Sequence, residues 1–263
     1  MLKHHEESLL IMKEYFQADP EVIAFILGGS VAKGEERPDS DLDGMLIITD
    51  HAYEKRQSEG RIAECIYGKC TYLKGYFDVK YFNKKYLEAA VERGSDPTRN
   101  SFVKSRVIFS HDPSIERIVE KISIYPRDKK QERIKLFHSV LRLSSGYFYN
   151  DALVSGDKYM LDKCCFETVY AGLRMLFAYN EVFFPSHKNL IKYTECLSHK
   201  PDNIVALAKE VNEKKDTSSR DAFVNAILNF TDWGFDINSG FGSTYVKAME
   251  QTWLNSDDNV YEL

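Results

Sequence analysis

The sequence predicts an α+β fold, with a mixed β-sheet and flanking helices in its first half and an all-helical bundle in its second half. Two observations carry this prediction. Up to about residue 112, short apolar runs of strand length alternate with segments whose apolar residues recur at helical spacing. From residue 114 onward, glycine and proline become sparse, and apolar residues recur every three or four positions. We therefore predict two domains, residues 1–112 and residues 113–263.

The first half supplies the elements of the sheet in order. An amphipathic helix ends at Asp19-Pro20, and the buried strand VIAFIL follows at Val22–Leu27. A second strand, MLIIT, precedes the polar segment HAYEKRQSEGR, which is predicted to be a connecting helix or loop. The aromatic and β-branched run CTYLKGYFDVKYF predicts a third strand, which Gly75 divides. Asn83 caps the helix NKKYLEAAVERG, and RVIFS is the last short strand.

The second half consists of amphipathic helical segments. Two long helices are predicted from ERIKLFHSVLRLSSGYFYNDALVS and MLDKCCFETVYAGLRMLFAYN. Further amphipathic stretches follow, separated by Pro185, Pro201 and the segment DTSS. Trp233 and Trp253 are expected in the core of this bundle rather than in a stacking platform for nucleobases.

Composition and charge exclude several classes of protein. The chain carries 35 Lys and Arg against 40 Asp and Glu, a formal net charge of −5, which argues against nucleic acid as a partner. No segment approaches the roughly eighteen apolar residues of a membrane span, and the charged N-terminal segment lacks the apolar core of a signal peptide. The five cysteines are odd in number and form no C-x-x-C pair, as expected of a reduced, cytoplasmic protein.

The stretch LGGSVAKGEERPDSDLDGMLII holds the first candidate site residues. Gly28 and Gly29 allow a sharp turn after the first strand, and amides exposed near Ser30 are suited to binding phosphate. Asp41 and Asp43 are separated by one residue, so an extended chain directs both carboxylates to the same side. Because like charges repel, a cation is expected between them, and Mg²⁺ prefers such oxygen ligands together with substrate phosphates.

Asp78 is the candidate for a third acid. It lies within YLKGYFDVKYF, among aromatic and apolar residues, where an unpaired carboxylate is costly to bury. A paired-metal site for phosphoryl chemistry would use such a third ligand. Alternatively, Asp78 faces water at a strand edge or pairs with Lys80, two residues away on the same face. Lys80 is then either a phosphate contact or a simple charge partner.

Each half of this pattern is weak when it stands alone. PDSDLDG is also a common polar turn, and G-G-S occurs in many unrelated loops. The ordered combination of strand, G-G-S, D-x-D and a second apolar strand favours the functional interpretation.

With the following FDVKYF, these residues resemble the signature of the DNA polymerase beta-like nucleotidyltransferase superfamily. Gly29, Ser30, Asp41, Asp43 and Asp78 match positions of its motif. The resemblance implies a nucleotidyltransferase-type mixed sheet as the catalytic domain. The layout, with a helical domain behind it, looks like the aminoglycoside and lincosamide nucleotidyltransferases, the antibiotic-modifying branch.

The same resemblance makes three basic residues candidates for binding the nucleotide. Lys33 stands where many relatives hold Arg, which keeps the charge but loses the planar fork. The segment GLRMLFAYNEVFFPSHKNLIKYTECL resembles a pattern in the helical domains of several such proteins, and it makes Arg174 and Lys188 candidates for nucleotide contacts. Surface charges or intrahelical pairs are the alternative interpretation of both.

The activity implied by the resemblance is Mg²⁺-dependent nucleotidyl transfer. An acceptor hydroxyl attacks the α-phosphorus of a nucleoside triphosphate, with ATP expected, and pyrophosphate leaves. Asp41, Asp43 and Asp78 would hold metal, and Asp78 would be the third ligand, the general base, or both. Ser30 and the Gly29 backbone would contact the β- and γ-phosphates.

The expected acceptor is a small molecule such as an aminoglycoside-like antibiotic, held between the catalytic and the helical domain of a monomer or homodimer. Glu167 and Glu181 could attract a polycationic acceptor there, although both also fit a solvated helix face. Two alternatives remain open: the same chemistry directed at a protein, and a non-catalytic nucleotide-binding sensor.

Overall fold

The computed structural model describes residues 1–251 and Leu254, and it divides the chain into two compact units, residues 1–124 and 125–263. Trp253, predicted to lie in the helical core, falls outside the described residues. None of the helices in the described part of the chain combines the length and apolar character that a membrane span requires.

The first unit contains five strands and six α-helices within the described residues. In chain order they are α1 Lys3–Gln17, β1 Val22–Leu27, α2 Gly29–Lys33, β2 Leu42–Ile48, α3 Asp50–Ser58, β3 Ala63–Tyr67, β4 Tyr76–Phe82, α4 Lys84–Arg93, α5 Asp96–Phe102, β5 Arg106–Ser110 and α6 Ser114–Ile122.

The strands form one mixed sheet in the order β3-β4-β2-β1-β5. Strands β2 and β4 are parallel, while the pairs β1-β2, β1-β5 and β3-β4 are antiparallel. The predicted mixed sheet with flanking helices is therefore confirmed, and a helical region follows it.

Each face of the sheet is covered by helices. On one face, Met12 and Phe16 of α1 pack in one apolar cluster with Phe25 and Leu46 of the sheet. On the opposite face, Ile26 and its neighbours pack with α4, α5 and α6. Successive residues of β1 therefore belong to different cores, as the alternation of side chains along a strand requires.

Two elements differ from the expectation for residues 63–82. The predicted third strand is confined to Tyr76–Phe82, and the separate strand Ala63–Tyr67 was not predicted. The reason is that β3 is an edge strand whose residues alternate between exposed and half-buried, so it lacks the apolar density of a buried strand. Helix α5 was also not predicted; Ser95 caps it, accepting a hydrogen bond from the Thr98 amide.

In the part of the second unit that the structure describes, all regular elements are helical. Helix α7 Lys130–Leu143 continues through a π-helical turn at Ser144–Phe148 into α8 Tyr149–Ser155, and α9 Lys158–Tyr179 follows. The remaining helices are α10 Leu190–Glu195, α11 Ile204–Lys214, α12 Thr217–Leu228, α13 Phe241–Tyr245 and a π-helical turn at Val246–Glu250. Helix α9 is the centre of the core, with Leu173 and Phe177 fully buried. Trp233 is buried, as expected, and its indole nitrogen donates a hydrogen bond to the Leu228 carbonyl.

Candidate active site

Three carboxylates meet at one end of the central strand pair. Asp43 of β2 and Asp78 of β4 are directly opposite each other in the parallel register, and Asp41 lies two residues before Asp43. One carboxylate oxygen from each of the three lies within 4.8 Å of the others. The sequence alternation placed Asp41 and Asp43 on one side, and the pairing of β2 with β4 adds Asp78 to the same side.

The turn after β1 lies against Asp43. The Gly28 amide donates a 2.9 Å hydrogen bond to the Asp43 carbonyl, which joins the turn to β2. Gly29 has a positive φ of 64°, and a Cβ atom built there would lie 1.6 Å from Oδ2 of Asp43. Only glycine therefore allows the backbone to approach the carboxylate this closely.

The surroundings of Asp43 disfavour its charged form. Burial first, and then the charges of Asp41 and Asp78, raise the pKa of Asp43 from 3.8 to about 6. The positive charges of Lys80 and Lys33 act in the opposite direction, which places both lysines within electrostatic reach of Asp43. Three carboxylates with donor oxygens this close together fit a hard divalent cation such as Mg²⁺.

The predicted basic and turn residues are placed as follows. Ser30 follows Gly29 in the first turn of α2 and is half-buried, and Lys33 is in the last turn of the same helix. Lys80 is exposed and lies on the same face of β4 as Asp78.

Tyr76 is a site residue that the sequence did not suggest. The interaction of its hydroxyl with the Asp41 carboxylate, together with the charge of Asp41, raises the pKa of Tyr76 to about 12. On β3, Tyr67 is opposite Tyr76, and their ring centroids are 5.3 Å apart. One feature of the sequence could have identified Tyr76: it precedes Asp78 by two residues, so both side chains lie on the same face of the strand.

Arg174 and Lys188 lie in the helical unit. Arg174 is buried in α9, where its guanidinium lies 4.2 Å from the ring centroid of Phe137 and 4.4 Å from that of Phe184. It also donates a hydrogen bond to the Tyr170 hydroxyl. Lys188 is exposed in a short 3₁₀ turn at His187–Asn189.

The two glutamates considered for a cationic acceptor differ from each other. Glu167 is 1% exposed, so it is not on a solvated helix face. Its carboxylate accepts a 2.7 Å hydrogen bond from Ser144 and pairs with Lys163. Glu181 pairs with Arg127 at 2.7 Å and with Lys130 at 3.2 Å. Both carboxylates are therefore engaged by residues of their own unit.

One comparison with known proteins concerns the part of the chain that holds the three aspartates. Residues 6–110 match the family model of the nucleotidyltransferase domain, a span that contains Gly29, Ser30 and all three aspartates. This match supports a nucleotidyl transfer activity of a general kind. A comparison with curated proteins gave no significant match.

Among solved structures, the chain is similar to a nucleotidyltransferase-like protein from Exiguobacterium sibiricum 255-15. The two share 8% sequence identity over 94% of this chain and 80% of that chain, with a TM-score of 0.49. A likeness at this level carries no information about the substrate.

Proposed function

We propose that the protein is a Mg²⁺-dependent nucleotidyltransferase that moves AMP from ATP to a hydroxyl group of a small molecule. One observation carries the proposal: three carboxylates converge to within 4.8 Å beside a turn in which Gly29 has no room for a side chain. The match of residues 6–110 to the nucleotidyltransferase domain supports the same chemistry.

The three aspartates fit the metal that this chemistry requires. Their donors are all carboxylate oxygens, and the raised pKa of Asp43 marks a site where added positive charge is favourable. Bound Mg²⁺ would supply charge neutralisation for the phosphates and for the developing charge on the leaving group. Asp41, Asp43 and Asp78 are the residues that would hold it.

The remaining residues would bind the phosphates and move a proton. The Gly29 backbone and the Ser30 hydroxyl are proposed to contact the β- and γ-phosphates, with Lys33 and Lys80 adding positive charge nearby. In the transfer step the acceptor oxygen bonds to the α-phosphorus, the bond from that phosphorus to the bridging oxygen breaks, and pyrophosphate leaves. The hydroxyl proton passes to Asp78 if Asp78 is the base.

Other parts of the proposal rest on the resemblance alone. They are an aminoglycoside-like acceptor, nucleotide contacts from Arg174 and Lys188, and acceptor binding by the helical half of the chain. A protein acceptor and a non-catalytic sensor are outcomes of the test below.

The test is transfer of label from α-³²P-labelled ribonucleoside triphosphates. The full chain is incubated with Mg²⁺, each common triphosphate and a panel of aminoglycosides and lincosamides, and both pyrophosphate and labelled product are measured. Asp43→Asn should abolish transfer. Asp39→Asn is the matched control, because Asp39 lies in the same loop but is exposed and pairs with Arg37. Label on a protein would select the protein-directed alternative, and triphosphate binding without transfer would select the sensor.

A further inference from the structure

Asp41 is held differently from the two other acids. Asp43 and Asp78 lie inside β2 and β4, where the ladder between these strands fixes their backbone. Asp41 precedes β2, which begins at Leu42, and the first register pair of the two strands joins Leu42 to Phe77. The placement of Asp41 therefore depends on contacts from outside this ladder.

Two side chains converge on the carbonyl of the preceding residue, Ser40. The Tyr72 hydroxyl donates to this oxygen at 2.5 Å, and Nε2 of His5 lies 3.2 Å from it. Because a carbonyl oxygen only accepts hydrogen bonds, Nε2 of His5 carries the proton. His5 comes from the first turns of α1 and is fully buried, and its ring packs edge-on to that of Tyr72 at 4.8 Å.

The Ser40 carbonyl and the Asp41 amide belong to the same rigid peptide plane. Hydrogen bonds that fix the Ser40 carbonyl therefore also fix the backbone amide of Asp41. A closed turn adds to this, because the Ser40 amide donates to the Arg37 carbonyl at 3.0 Å and the Arg37 amide donates to Oγ of Ser40 at 2.9 Å. Ser40 itself is 7% exposed.

Tyr76 acts on the other end of the same residue. Its hydroxyl interacts with the Asp41 carboxylate, which raises the pKa of Tyr76, and it extends from a strand whose register is fixed by β2 and β3. The peptide before Asp41 is thus fixed by hydrogen bonds from His5 and Tyr72, and the Asp41 carboxylate is within reach of Tyr76. We refer to His5, Tyr72 and Tyr76 as the Asp41 clamp.

We infer that the Asp41 clamp positions Asp41 for divalent-cation binding, with His5, Tyr72 and Tyr76 acting as positioning residues. This inference rests on the proposed function. Groups that hydrogen-bond to metal-binding carboxylates orient them, and their loss typically weakens metal affinity by about 10- to 100-fold. The clamp gives a physical reason why an acid outside the strand ladder reaches the same point as two acids inside it.

The experiment is a Mn²⁺ titration of the full chain, in which free Mn²⁺ is followed by electron paramagnetic resonance. Tyr72→Phe and Tyr76→Phe each remove one hydroxyl and keep the ring. Each is expected to raise the dissociation constant for Mn²⁺ by roughly tenfold. Tyr67→Phe is the matched control, because the Tyr67 ring neighbours Tyr76 while its hydroxyl interacts with Cys65, and it should leave Mn²⁺ affinity unchanged.

A double-mutant cycle separates positioning from a general effect on the fold. In an Asp41→Asn background, Tyr76→Phe should have no further effect on Mn²⁺ affinity, because the residue that it positions no longer binds metal. The melting temperature of each variant shows whether it is folded. Equal affinities for Tyr76→Phe, Tyr72→Phe and Tyr67→Phe would overturn the clamp, as would a tenfold effect of Tyr76→Phe that persists in the Asp41→Asn background. Absence of Mn²⁺ binding by the wild-type chain would overturn the proposed function, and the clamp with it.

Discussion

Charged side chains in the sheet unit and in the helical unit have opposite surroundings. In the sheet unit, Asp43 is half-buried beside two further carboxylates, and its pKa rises to about 6. In the helical unit, Glu167 is buried beside Lys163 and Ser144, and Arg174 packs against aromatic rings. A buried charge that is paired is explained by structure alone. A half-buried carboxylate beside two others favours a bound cation, which is the physical case for a functional site.

The largest expected effect is on transfer. Asp43→Asn removes a charge from the proposed cation site, and we expect the rate of label transfer to fall by at least about 100-fold, because metal-assisted charge stabilisation contributes several kcal/mol to such reactions. The rate of pyrophosphate release with saturating substrates is the measurement. Asp39→Asn, in the same loop, should stay within about twofold of the wild-type rate. Equal losses in the two variants would remove the distinction between the acid cluster and ordinary loop charge.

A second prediction concerns the close approach of the turn to Asp43. Gly29→Ala places a methyl group where the Asp43 carboxylate lies and strains a positive φ of 64°. We expect the free energy of unfolding to fall by about 2 kcal/mol and Mn²⁺ affinity to fall with it. Urea denaturation measures the first quantity and metal titration the second. Gly34→Ala is the control, because Gly34 also has a positive φ but has open space around its Cβ position. Equal Mn²⁺ affinity in the two variants would contradict the close approach.

The helical unit offers the contrasting prediction. Glu167→Ala leaves the Lys163 ammonium and the Ser144 hydroxyl without their carboxylate partner, and we expect a loss of about 2 kcal/mol in the free energy of unfolding. Glu167→Gln keeps an acceptor for Ser144 and should lose less. Thermal or urea denaturation in metal-free buffer is the measurement. An unchanged stability of Glu167→Ala would mean that this carboxylate is not structural, and the contrast between the two units would fail.

The smallest effect is on the pH dependence of stability. The native pKa of Asp43 is about 6, above its ordinary value of 3.8, so the folded state holds this proton more tightly than the unfolded state. In metal-free buffer the Asp43 contribution therefore lowers stability as pH rises from about 4 to about 6, by roughly 1–2 kcal/mol. Asp43→Asn should flatten that part of the profile and melt at the same or a higher temperature above pH 6. If the stability of the variant fell more steeply with rising pH than that of the wild type, the predicted direction of the effect would be wrong.

Much of the candidate site could be predicted because it depends on residues that are close together in the sequence. The spacing of Asp41 and Asp43 and the glycine at position 29 depend on strand alternation and backbone freedom, which a sequence displays. The meeting of Asp78 with Asp43 depends on the parallel pairing of β2 with β4, which is a property of the tertiary fold. The sequence could therefore identify Asp78 as a candidate site residue, but it could not show that Asp78 pairs with Asp43 in the sheet.

The parts that were missed are those set by long-range contacts. The side chains of His5 and Tyr72 contact the Ser40 carbonyl, although they are 35 and 32 residues away from it in the sequence. A short sequence motif cannot show contacts over such separations. Strand β3 lies at the edge of the sheet, so its sequence lacks the apolar run that marks a buried strand. Glu167 accepts its hydrogen bond from Ser144, at the start of the π-helical turn, and helical periodicity shows neither the turn nor this contact.

The central claim is that Asp41, Asp43 and Asp78 form a divalent-cation site, and Mg²⁺-dependent thermal stability tests it most directly. Melting temperatures of the wild type, Asp43→Asn and Asp39→Asn are compared at about pH 7.5 with and without Mg²⁺, where Asp43 is largely ionised in the wild type. We expect Mg²⁺ to raise the melting temperature of the wild type and of Asp39→Asn and to leave that of Asp43→Asn unchanged. An equal response of all three proteins, or of none, would contradict the site.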